Sequence, residues 1–176
     1  MIRWTKYSGN PVIARPPGGA KVVGFRDPCV WKENDGWYMI VGTGIKGESG
    51  GALLFRSPDL HTWHYLDPLC TGKVRPKDEL GLVAQSDMWE CPDFFALGAK
   101  HVLLVSVWDE GHLHYTAYQA GEYAAQHPPP PSAGRLAFGA TYYYPPPNMP
   151  HAQRRPLLRP RIPEARDHPA PIPARA

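Results

Sequence analysis

Cysteine is sparse and unpaired: Cys29, Cys70 and Cys91 are the three in the chain, widely spaced, with no Cys-x-x-Cys among them. That pattern signals neither a zinc knuckle nor a disulfide framework, and no metal is expected. Long apolar runs are missing too. None approaches the roughly 18 residues of a membrane-spanning helix, so no membrane partner is expected. The opening Met1-Ile2-Arg3-Trp4 carries no signal-type apolar stretch, which gives the expectation of a cytoplasmic protein. Helical periodicity is absent, and so is a patterned basic face. The net charge is +3, but the excess lies in Arg135, Arg154, Arg155, Arg159, Arg161, Arg166 and Arg175, set among prolines rather than among stacking aromatics. This argues against nucleic acid as a partner. Gly42-Thr43-Gly44 and Gly47-Glu48-Ser49-Gly50-Gly51 are glycine-rich, yet no helix follows to present amides to a phosphate. They are expected to form a mobile loop between strands, and no cofactor is called for.

What is present is a succession of short strands. Val30-Trp31-Lys32 leads through Glu33-Asn34-Asp35-Gly36 to Trp37-Tyr38-Met39-Ile40-Val41, and Asp-Gly between such runs is a hairpin signal. Residues 52–57 form a third expected strand, ended by Pro58-Asp59, and residues 61–65 a fourth. The same grammar restarts with strands expected at 94–97, 101–108 and 112–118. The class is all-β. Propeller blades are four-stranded sheets that close their edges in a ring, and they repeat on this scale. Beyond residue 126 the composition changes. Fourteen of the 22 prolines lie at or after Pro128, whereas all six tryptophans lie at or before Trp108. Proline removes backbone donors, so residues 127–176 are expected to form an irregular, Pro-rich tail after a folded unit at 1–126.

Two tetrapeptides carry chemistry, Phe25-Arg26-Asp27-Pro28 and Trp89-Glu90-Cys91-Pro92. Each sets an acidic residue near an aromatic, ahead of an apolar run. Cleaving a glycosidic bond needs carboxyl groups held about one sugar: one protonates the leaving oxygen, another attacks or stabilises the oxocarbenium-like centre. Trp89 offers Glu90 an apolar wall, and Arg26 offers Asp27 a cation that keeps it ionised. Alone, Arg-Asp-Pro reads as a turn with a surface ion pair, and Glu before Cys-Pro as an unremarkable position. Together, in order and 63 residues apart from Asp27 to Glu90, they read as a site. His112 and His114 share a strand face but have no third ligand nearby, so a solvated pair is the expectation there.

The two tetrapeptides, with Asn10-Pro11-Val12-Ile13, Ala52-Leu53-Leu54-Phe55-Arg56-Ser57-Pro58-Asp59-Leu60 and Met88-Trp89-Glu90-Cys91-Pro92-Asp93-Phe94-Phe95, resemble glycoside hydrolase family 32. That family contains the invertases, fructan hydrolases and sucrose-6-phosphate hydrolases. The resemblance implies a five-bladed β-propeller, of which this chain would form about two blades, and a fructoside or sucrose-like carbohydrate as substrate. It implies Glu90 as general acid/base, Asp27 as transition-state stabiliser, and Arg26, Trp89 and Cys91 at the fructosyl unit. For Cys91 the residue type itself suggests a small buried side chain.

The family's nucleophile is an aspartate in a Trp-Met-Asn-Asp-Pro-Asn-Gly-type motif, and this sequence has no counterpart. The chain therefore reads as a truncated fragment, expected not to hydrolyse sucrose by itself. Leu136-Ala137-Phe138-Gly139-Ala140-Thr141-Tyr142-Tyr143 resembles a family segment with an acid where Ala137 stands. Residues 154–166 resemble one in which Trp-Gly-Trp precedes Ile-Pro-Glu. These replacements suggest a decayed gene or misread sequence. The competing expectations are a related arabinan- or xylan-cleaving propeller and a non-catalytic sugar-binding remnant.

Overall fold

The computed structural model describes residues 3–18, 21–72, 86–123 and 132–136. Eight strands occur there: β1 (Val22–Glu33), β2 (Gly36–Ile45), β3 (Gly50–Ser57), β4 (His64–Thr71), β5 (Met88–Leu97), β6 (Lys100–Asp109), β7 (His112–Gly121) and β8 (Ser132–Arg135). They form two four-stranded antiparallel sheets in simple sequence order, β1-β2-β3-β4 and β5-β6-β7-β8. Two such meanders, packed face to face, are two blades of a propeller. No helix among the described residues is long and apolar enough to cross a membrane.

Turn chemistry sets the hairpins. Glu33 pairs with Gly36, and Gly36 takes the positive φ of 147° that the Asp-Gly signal anticipates. Asp109 pairs with His112 across Glu110 (φ 46°) and Gly111 (φ 80°), both left-handed, as the twist of a tight hairpin requires. The fourth strand begins later than expected, at His64 rather than His61. The cause is local: Asp59 Oδ1 accepts from the main-chain N–H groups of His61 (2.9 Å) and Thr62 (2.8 Å), and Ser57 Oγ accepts from Leu60 N–H (2.9 Å). Side chains thus take the donors that a sheet ladder would have used.

Three further expectations are corrected. Both acidic tetrapeptides lie inside the first strand of their blades, β1 and β5, not ahead of strands. Gly42-Thr43-Gly44 is not a loop but part of β2, and Gly50 and Gly51 open β3. A Cβ on Gly42 would meet the main-chain oxygen of Trp89 at 2.6 Å, and one on Gly50 would meet the Trp89 ring at 2.3 Å. These glycines therefore let blade one close onto β5. Finally, Ser132–Arg135 pairs with β7 as the outer strand of blade two, so that sheet extends past residue 126. This Ser-Ala-Gly-Arg stretch is free of proline, and an edge position makes the smallest demand on backbone donors. Residues 137–176, where the rest of the Pro-rich tail falls, lie outside the described residues.

The main core sits between the blades. Tyr38, Ile40, Ala52 and Leu54 of blade one meet Trp89, Phe94, Leu103, Val105 and Val107 of blade two. Strand alternation sends Met39, Val41, Leu53 and Phe55 to the other face of blade one, where Ile13, Phe25 and Trp63 pack on them. The repeat is 64 residues rather than 63: Arg26 contacts Glu90, Asp27 contacts Cys91, and Cys29 contacts Asp93, each pair with that separation.

Candidate active site

Each inner strand carries a bulge at the site. The ladder between β1 and β2 slips between Arg26 and Pro28, and that between β5 and β6 slips between Glu90 and Asp93. Asp27 (φ 60°) and Cys91 (φ 46°), which fall at these slips, are both left-handed. A bulge re-aims a side chain out of strand alternation, and left-handed non-glycine backbone persists only where the surroundings hold it. Pro92 falls in the gap of the β5–β6 ladder, where a missing N–H costs little, and Pro28 stands where the β1–β2 ladder resumes opposite Val41, directly after its bulge.

The two bulges brace one another across the blade boundary. Asp27 Oδ2 accepts a hydrogen bond from Cys91 N–H at 3.0 Å, with Cys91 Sγ at 3.5 Å from the same oxygen. Arg26 Nε donates to Glu90 Oε1 at 3.0 Å, and Arg26 Nη2 contacts that oxygen as well. Glu90 is buried, at 4% exposure, and a carboxylate so removed from water needs a partner of this kind. The guanidinium of Arg26 thus reaches Glu90 across the blade boundary, 64 residues along the chain, a partner that adjacency in sequence did not suggest.

Burial pushes the Cys91 thiol up to about 12, with the Asp27 carboxylate adding to the effect. The thiol therefore stays protonated and can donate towards Asp27. Cys29 is likewise raised, to about 11, by burial; the main-chain N–H of Phe94 works against this and Asp93 adds to it. Its Sγ lies 3.7 Å from Asp93 Oδ1, a second thiol–carboxylate contact two residues along the same pair of strands.

Four of the five residues singled out from sequence, Arg26, Asp27, Glu90 and Cys91, are thus brought together. Trp89 is not available to a sugar: it has no exposed surface and lies in the core between the blades. Its part is to seat β5, and so Glu90, against blade one. The histidines turn to main-chain carbonyls, His112 Nδ1 at 2.8 Å from Glu110 O and His114 Nε2 at 3.3 Å from Asp109 O. No group of three potential metal ligands converges among the described residues. Sequence reasoning missed Gly42 and Gly50 as determinants of the site. The available signal was glycine inside an otherwise strand-like run, which marks close backbone approach.

Two blades meeting at a carboxylate pair define the class as a propeller of the glycoside-hydrolase kind. The profile of the glycosyl hydrolases family 32 N-terminal domain matches residues 1–158, and the chain belongs to that family. A sucrose-6-phosphate hydrolase of Escherichia coli is 39% identical over 118 residues, covering 65% of this chain and 22% of that protein. One of Bacillus subtilis is 36% identical over 123 residues, covering 68% and 24%. A GH32 β-fructofuranosidase of Bombyx mori superposes with a TM-score of 0.66 at 29% identity, covering 86% of this chain and 32% of that one. A point mutant of that enzyme in complex with sucrose gives the same values. The chain thus spans less than a quarter of the length of these two curated relatives.

Proposed function

We propose that this chain is the part of a β-fructofuranosidase-type glycoside hydrolase that supplies its proton donor and its hydroxyl clamp. The whole protein would cleave terminal β-D-fructofuranosides, such as sucrose or a fructan, with retention. Glu90 protonates the leaving oxygen and then activates the water that releases the sugar. Asp27 grips hydroxyls of the fructosyl ring as charge develops at its anomeric carbon. The observation that carries this reading is the cross-braced pair, Asp27 on Cys91 and Glu90 on Arg26, in a chain of this family.

Retention also requires a nucleophilic carboxylate about 5 Å from the acid, and the sequence has no counterpart of the family's nucleophile motif. We expect the 176-residue chain to bind fructose without turning over sucrose. Calorimetric titration with fructose, beside an assay of fructose release from sucrose, tests both halves. Failure to bind would remove the site, and turnover would show that a nucleophile is present after all.

A further inference from the structure

We infer that Cys29 is a positioning residue: its thiol ties β1 to β5 just past the two bulges and so sets where Asp27 meets Cys91. For sugar binding this rests on the reading of Asp27 as hydroxyl clamp; the tie between the strands does not.

Asp27 and Cys91 need support from outside. Both are left-handed, and each falls at a slip where its strand has left the ladder of its own sheet. Their mutual hydrogen bond therefore keeps its length only if β1 and β5 are held in register on either side of it. On one side Arg26 Nε donates to Glu90 Oε1 at 3.0 Å. On the other, Cys29 Sγ lies 3.7 Å from Asp93 Oδ1, again 64 residues away. There both strands are back in their sheets, with Cys29 opposite Ile40 and Asp93 opposite Leu104, and both of those partners are core residues. The contact thus joins two strands that are themselves anchored.

Cys29 reaches β5 at two points. Besides the contact with the Asp93 carboxylate, the main-chain N–H of Phe94 donates to the sulfur. Burial keeps the thiol protonated, so it can donate to Asp93 while accepting from Phe94. The arrangement mirrors the one at the bulges. There a carboxylate on β1 meets a cysteine on β5; here a carboxylate on β5 meets a cysteine on β1. A weak S–H···O contact carries meaning when its geometry recurs in this way. Cys29 also packs against the core, a role that any small apolar side chain would fill. The donor is what separates the two roles. Asp93 has further contacts of its own, so what a Cys29 variant removes is the tie to β1.

The test compares Cys29→Ala and Cys29→Ser with the unaltered 176-residue chain. Alanine keeps a small apolar body without the donor, whereas serine returns an O–H to face Asp93. The first readout is hydrogen exchange at the Cys91 amide, which reports its bond to Asp27 Oδ2. In Cys29→Ala that amide should exchange about threefold to fivefold faster relative to the core amides of Leu103 and Val105. In Cys29→Ser most of the protection should return. The second readout is calorimetric titration with fructose, where affinity should fall by a similar factor with alanine and recover with serine. An equal change at Cys91, Leu103 and Val105 would mark a loss of overall stability and overturn the inference. Serine behaving as alanine does would reduce Cys29 to core packing and overturn it too. Altered exchange with unaltered affinity would confine Cys29 to the brace and remove its part in sugar binding. Absence of fructose binding by the unaltered chain would overturn the reading of the sugar site, while exchange at Cys91 would still decide whether Cys29 sets the brace.

Discussion

Asp27 and Cys91 stand at matching bulges on successive blades, both in left-handed backbone, and the N–H of Cys91 donates to Asp27 Oδ2 at 3.0 Å. One bulge thus aims the carboxylate and the other aims the donor that holds it. In Cys91→Ala the N–H remains and only the thiol contact is lost. The expected cost is about 1 kcal/mol, with fructose affinity changed by less than about threefold. Asp27→Ala instead strands the buried N–H, at about 1–3 kcal/mol, and abolishes fructose binding. Urea unfolding and titration of both variants check the contrast. Equal effects on binding would contradict it.

Closure of the blades depends on missing side chains. Gly42→Ala drives a methyl group against the main-chain oxygen of Trp89, 2.6 Å away, and backbone cannot give as a side chain can. We expect a loss of about 3 kcal/mol, the upper end of the overpacking range. At Gly98 nothing lies within 4 Å of a built Cβ, and only the φ of 61° opposes alanine, at about 1 kcal/mol. The order Gly42→Ala well below Gly98→Ala in urea midpoint is the expected outcome.

His101 packs between Phe94 (5.3 Å) and Tyr123 (5.0 Å), and burial lowers its pKa below 6.5, with Glu33 opposing the shift. The folded state therefore binds a proton here less readily than the unfolded chain. The stability from this group is present above pH 6.5 and is lost as pH falls towards the lower folded value. Urea midpoints should decline over that window, and more shallowly in His101→Phe. An identical decline in the variant would assign the effect elsewhere.

The raised thiols give the opposite sign. Cys91 and Cys29 move from 9.0 to about 12 and about 11, so the folded chain resists losing these protons and their contribution fades as pH rises past 9.0. A shift of this size leaves roughly a hundredfold to a thousandfold less thiolate at a given pH. Alkylation by iodoacetamide at mildly alkaline pH should be much slower in the folded chain than in urea at both positions, as read by peptide mass mapping. Rapid labelling of Cys91 in the folded chain would contradict its burial beside Asp27.

The residue string itself determined the all-β class, the hairpin at Asp35-Gly36 and the two acidic tetrapeptides, because strand alternation, turn residues and motif chemistry are local properties. Strand limits were less legible. Asp59 and Ser57 delay β4 through side-chain hydrogen bonds that a hydrophobicity pattern does not register. The partners inside the site depended on the fold alone. Adjacency in sequence suggested Asp27 as the partner of Arg26, and only the fold shows Glu90 reaching the same guanidinium from 64 residues away. In the same way Trp89, adjacent to Glu90, turned out to be core, and Gly42 and Gly50 became determinants only when two sheets closed on one another. Contacts between blades are set by packing across distant chain positions, so residue types can propose the carboxylates while tertiary structure decides what holds each of them.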